Sequence, residues 1–109
     1  MATVKWETLR SVAHGSITNS YTTVGGVTQQ NWRIMKIVNN TNGDLLFSTD
    51  GTHDMILVPA SSFTLYDFAT NGIPGQTIDN WVLAKQLQWY VKYSSAPSTG
   101  SAYIEGLYA

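Results

Sequence analysis

The chain has 109 residues, a net charge of −1 and only 12% Asp, Glu, Lys and Arg, about half of the ~25% usual in soluble domains. Ser, Thr, Asn and Gln number 35, so the polar surface is mostly uncharged, and no basic run is present to neutralise a phosphate backbone. The absence of cysteine excludes a disulfide framework and a thiolate metal site and suits folding in a reducing cytoplasm.

The first 15 residues, "MATVKWETLRSVAHG", lack the apolar core of a signal peptide, and no stretch approaches the ~20 apolar residues of a membrane span. They show no sustained strand pattern. The expectation is an N-terminal arm over 1–15, lying outside the domain or holding one helical turn, with a single β domain over 16–109.

Period-two patterns then follow one another. "SYTTV" around Tyr21 is a weak strand. "WRIMKIV" (Trp32 to Val38) is a strong one, apolar on both parities, with Arg33 and Lys36 on opposite faces. Asn42-Gly43 and Asp50-Gly51 are dipeptides that tolerate positive φ in tight turns, and they bracket "LLFST" (Leu45 to Thr49). "MILV" (Met55 to Val58) stops at Pro59, which cannot donate to a ladder. "FTLYDF" (Phe63 to Phe68) precedes the loop "NGIPGQT", and "NWVLA" around Trp81 is a further weak strand.

The clearest alternation is "LQWYVKY", where Leu87, Trp89, Val91 and Tyr93 share one face and Gln88, Tyr90 and Lys92 the other. After the loop "SSAPSTGS", the strand "AYIEGLY" (Ala102 to Tyr108) closes the chain. Short strands at similar spacing with Gly and Pro between them define an all-β protein, an antiparallel β-sandwich of about eight strands. Eight strands suggest a jelly roll, although meanders and Greek keys share the pattern and strand order is not legible.

Few groups offer chemistry. "DGTHD" brings Asp50, His53 and Asp54 together, with Asp44 in the preceding turn, but calcium needs six to eight oxygens and zinc more His or Cys ligands than His14 and His53 supply. Asx residues that bond their own turn explain the spacing without a metal. No G-x-S-x-G elbow occurs. Glu105 and Asp67, on different strands, are the only carboxylates that suggest a glycosidase pair. The reading is therefore of a protein that is not an enzyme and carries no cofactor.

The aromatics say more. Trp32, Trp81 and Trp89 read as core. Trp6, in the arm, and Tyr90 and Tyr103, on the polar parity of their strands, read as candidate contacts, because exposed Trp and Tyr anchor interfaces and also stack on sugars. "Asn39-Asn40-Thr41" matches a glycosylation acceptor, which has no meaning without a secretory signal.

Three stretches carry a resemblance. "FSTDGTHD" supplies Phe47, Ser48, Asp50, Gly51 and Asp54. "LVPASSFTLYD" supplies Leu57, Pro59, Ala60, Ser62 and Asp67. "VKYSSAPSTGSAYIEGLY" supplies Val91, Lys92, Pro97, Gly100, Tyr103, Ile104 and Tyr108. Together they resemble small structural proteins of tailed bacteriophages, over residues 34 to 109, with a looser echo at "GSITNSYTTVG". Ser61 departs from the pattern, which commonly has Gly there. The resemblance implies a jelly-roll capsid decoration (cement or staple) protein of a short-tailed phage. Such proteins are made in the host cytoplasm and sit on the outer surface of the virion as homodimers or homotrimers bridging major capsid proteins. The charge balance and the lack of a long apolar stretch lead to the expectation of no nucleic-acid and no membrane partner. On the decoration reading Trp6 and Arg10 are expected capsid contacts, and Tyr90, Lys92 and Tyr103 expected subunit contacts. A head–tail connector or tail component, and a carbohydrate-binding module, are the alternatives.

Overall fold

A computed structural model describes residues 3–68 and 82–109. Among these residues nine strands occur: β1 (Lys5–Trp6), β2 (Arg10–Ala13), β3 (Thr22–Thr23), β4 (Ile34–Thr41), β5 (Leu45–Ser48), β6 (Ile56–Val58), β7 (Ser62–Asp67), β8 (Tyr90–Tyr93) and β9 (Gly100–Tyr108). A single 3₁₀ turn, His14–Ser16, follows β2. Asn80 and Trp81 of the expected strand around Trp81, and with them the core reading of Trp81, lie outside the described residues; Leu83 of the same segment forms an isolated bridge with Trp32.

The connectivity is that of a jelly roll. Four antiparallel pairs are nested in sequence: β5 with β6, β4 with β7, β3 with β8 and β2 with β9. This ribbon is rolled so that β9 also pairs with β4 and β8 with β5. Two sheets result, ordered β2-β9-β4-β7 and β3-β8-β5-β6, called A and B below, with β1 extending beside the far end of β9 in sheet A. Rolling lets eight short strands bury their apolar parity between two layers.

That core follows the alternation. Met35, Ile37, Ala102 and Ile104 of sheet A face Leu45, Phe47, Val58 and Val91 of sheet B, all buried. Apart from Ala102, each of these buried side chains contributes roughly 1.5–3 kcal/mol. Trp32 and Trp89 are buried as expected. Trp32 lies just ahead of β4 and breaks its parity: Ile34, Lys36 and Val38 turn outward, yet Trp32 turns in to pack on Gly106.

The N-terminal arm is bonded into this frame. Lys5 and Trp6 pair with Tyr108 and Leu107, and Arg10 to Ala13 pair with Ile104 to Ser101. The expectation of a segment lying outside the sandwich thus gives way to a strand pair on the edge of sheet A. The free backbone edge of the nine-residue β9 accounts for this, since a sheet edge offers hydrogen bonds that water alone would otherwise satisfy.

Gly43 also differs from its expected reason. It is not among the glycines with positive φ; instead a Cβ there would collide with the backbone of Ser95 and Pro97. Around it sits a buried polar knot. The Asn39 amide donates to the carbonyls of Gly43 (2.8 Å), Val58 (2.9 Å) and Pro59 (3.1 Å), while its Oδ1 accepts from the Thr41 N–H (3.0 Å) and pairs with the Thr41 hydroxyl (2.6 Å). Asn39 is buried, so the acceptor motif it heads is structural.

Candidate contact surfaces

The two acidic turns are held by their own hydrogen bonds. Asp50 Oδ1 accepts from the N–H groups of Thr52 (2.8 Å) and His53 (2.9 Å) and from the Ser48 hydroxyl (2.8 Å), and Oδ2 lies 2.7 Å from His53 Nδ1. The His53 N–H and ring, then Thr52 and Ser48, hold the Asp50 carboxyl well below the usual carboxylate range. Asp44 accepts from the Ala60 N–H at 2.9 Å and so ties β5 to the turn before β7. Among the described residues no three His, Asp or Glu side chains come together.

Beside that corner, on the outer face of sheet B, lies a three-residue cluster. The Tyr21 hydroxyl donates to Asp54 Oδ1 at 2.6 Å, Lys92 Nζ is 3.2 Å from the same oxygen, and the ammonium sits 4.8 Å from the Tyr21 ring centroid. The Tyr21 hydroxyl and then Lys92 lower the Asp54 pKa. Burial, followed by the bond to Asp54 and its charge, pushes the Tyr21 hydroxyl above its ordinary value.

The expected contact residues do not form one surface. Tyr90 and Lys92 share the outer face of sheet B, where Tyr90 is half-buried beneath Gly51 and Lys92 is engaged by Asp54. Tyr103 lies on sheet A, between Ser11 and Val38. Trp6 and Arg10 part as well. Trp6 pairs with Leu107 and is 63% exposed.

Arg10 is only 9% exposed and points into the protein, which removes it from the capsid contact expected of it. Its guanidinium donates to the carbonyls of Gly26 (3.2 Å), Thr8 (3.3 Å) and Val27 (3.4 Å) and to Glu7 Oε2 (3.3 Å), and it lies 5.2 Å from the Trp32 ring centroid. A guanidinium removed from water needs this full set of acceptors.

A candidate contact surface lies on the outer face of sheet A. The register aligns Tyr103, Val38 and Phe63 in one row, Glu105, Lys36 and Leu65 in the next, and Trp6, Leu107, Ile34 and Asp67 in the third. Phe63 is 62% and Leu65 57% exposed; the Lys36 ammonium rests 4.8 Å from the Phe63 ring centroid. Glu105 and Asp67 share this face, but β4 with Lys36 and Ile34 runs between them.

Neither Phe63 nor Leu65 was singled out by sequence. The signal was present in "FTLYDF", which is apolar on both parities: Tyr66 and Phe68 pack on the core, so the other parity must face water. Next to Trp6 a groove of about 310 Å³ is lined by Trp6, Glu7, Gln29, Gln30 and Tyr108 among others. Comparison with protein-family models, curated proteins and solved structures found no match.

Proposed function

We propose that this chain is a non-catalytic virion structural protein of a tailed phage, decorating the outside of the capsid and bridging neighbouring major capsid proteins. The outer face of sheet A carries the reading. Trp6, Leu107, Ile34, Val38, Tyr103, Phe63 and Leu65 form a mixed aromatic and aliphatic surface around Lys36 and Glu105, the kind that marks a protein contact. The commitment of Asp44, Asp50, Asp54 and Glu7 to structural bonds supports a binding role over a catalytic one.

The physics suits a particle that expands as it fills. A ligand that binds only the expanded lattice stabilises it by mass action. Self-association, as a dimer or trimer, multiplies the gain through avidity. Trp6 is retained as a capsid contact and Arg10 is not.

The test is a quantitative protein inventory of purified particles from a phage encoding this chain. Hundreds of copies per particle support decoration, six or twelve point to the head–tail axis, and absence overturns the proposal. The groove beside Trp6 favours one second reading, a carbohydrate site, because an exposed indole flanked by Gln29 and Gln30 amides offers a stacking face and paired hydrogen-bonding groups. Glycan-array binding that is lost in Trp6→Ala would support that reading.

A further inference from the structure

Natural sheet edges are kept from pairing with other chains by shortness, Pro, Lys or bulges. Three of the edges described here follow that rule. β3 is two residues long, β6 is three and runs into Pro59, and the N-terminal edge of sheet A is split into β1 and β2. β7 does not follow it. Its six residues keep an unbroken, bulge-free register against β4 and contain no Lys, Arg or Pro, and Ser62 to Tyr66 have no other ladder partner among the described residues. Its outward side chains, Phe63 and Leu65, are largely in water.

We infer that β7 is a dimer edge: it pairs antiparallel with β7 of a second copy about a two-fold axis at Thr64, joining the two A sheets into one continuous sheet. Directly opposed residues of an antiparallel pair share a face. In this register Phe63 lies opposite the partner's Leu65, and Leu65 opposite the partner's Phe63, so the four exposed side chains cover one another. Ser62 meets the partner's Tyr66 on the inner face, and Thr64 meets the partner's Thr64 on the axis.

Self-complementarity of this kind is what an isologous two-fold contact requires. No charged residue falls within the paired span 62–66. The neighbouring register, centred on Leu65, would instead set Phe63 against the partner's Asp67, and a one-residue slip would turn apolar side chains onto the wrong face. A short ladder with two apolar side chains per copy covers less than the ~800 Å² per partner of a standard interface. The dimer is therefore weak and reversible in dilute solution. The inference rests on edge geometry and not on the virion reading, so particle inventories leave it untouched.

Sedimentation equilibrium of the full chain from about 1 to about 500 µM spans the range of a weak dimer, and wild type is expected to pass from monomer toward dimer across it. Leu65→Lys, a change at an exposed site, is expected to stay monomeric with unchanged melting temperature. In this cysteine-free chain, Thr64→Cys is expected to oxidise to a disulfide-linked dimer, because opposed Cα atoms ~4.5–5.5 Å apart fit a disulfide. Thr23→Cys, on the short β3 edge, serves as the control and is expected to cross-link far more slowly. A wild type that is monomeric throughout, a dimer that survives Leu65→Lys, or equal cross-linking of the two cysteine variants would each overturn the inference.

Discussion

Glu7 accepts the indole N–H of Trp32 at 2.6 Å across 25 positions of sequence, and its other oxygen accepts the Gln29 N–H at 2.5 Å. With Arg10 Nη1 3.3 Å away, and both side chains about nine-tenths buried, this pair fastens the N-terminal strands to the core. Removing one partner of a buried pair strands the other, so Glu7→Ala is expected to lower stability by about 3–5 kcal/mol. Glu7→Gln, which keeps an acceptor for the indole, is expected to cost less. Urea unfolding of the two variants decides it, and equal small losses would mean the pair holds nothing.

Trp6 and Arg10, four residues apart, differ in exposure, at 63% and 9%. Trp6 is an exposed side chain, so Trp6→Ala is expected to change stability by no more than about 0.5 kcal/mol. On the decoration reading its affinity for expanded capsids falls ten-fold or more, as at an interface anchor. Deleting residues 1–12 is not an equivalent test, because it removes β1, most of β2 and the Glu7–Arg10 pair. A Trp6→Ala protein that binds expanded capsids like wild type would remove Trp6 from the contact.

Ser61 has φ = 55°, in the left-handed region, at the position where the phage-protein pattern commonly has Gly. An L side chain there is strained and glycine is not. Ser61→Gly is expected to raise stability by roughly 0.5–1 kcal/mol, net of the greater freedom glycine gains in the unfolded chain. Ser61→Val is expected to lower it. Thermal melts of the three proteins give the order, and an inverted order would exclude strain as the cause.

Gly106 tests the Trp32 packing. A Cβ at this position would overlap the indole ring, and Trp32 is fully buried with no room to retreat. Gly106→Ala is expected to cost at least about 3 kcal/mol, the upper range for overpacking. Co-substitution with Trp32→Phe is expected to recover part of the loss, measured by the same urea series.

The pH dependence has a definite sign at both ends. Asp50 and Asp54 have folded-state pKa values depressed by their hydrogen bonds. Their contribution is therefore complete above the ordinary carboxylate value near ~4 and disappears as pH falls through the lower folded values. Asp50→Asn is expected to flatten the loss of melting temperature below about pH 4. Tyr21 is shifted upward, chiefly by burial and then by Asp54, so its contribution is complete below ~10 and is lost as pH rises beyond that. Tyrosinate absorbance is expected to show a late-ionising group that Tyr21→Phe removes.

Much of the architecture was legible because its causes are local. The alternation of Trp89, Val91 and Tyr93 against Tyr90 and Lys92 marks a strand whichever partner it meets. Asp50-Gly51 makes its turn from its own side chain, and Gly51 does adopt positive φ, at 73°. The all-β class and the burial of Trp32 and Trp89 follow from such patterns.

What the sequence determined by itself was where most strands and corners beyond the first 15 residues fall. The three-dimensional structure alone decided which side of each strand faces the other sheet and which distant strands meet. "RSVA" carries no sign that it pairs with Ala102 and Ile104 near the other end of the chain, so nothing marked Arg10 as an inward residue or Glu7 as its partner. Phe63 and Leu65 point to water only because Tyr66 on the same strand points to the core. The physical reason is that period-two spacing sorts side chains into two faces, whereas the choice of the buried one is made by rolling the whole ribbon into two layers.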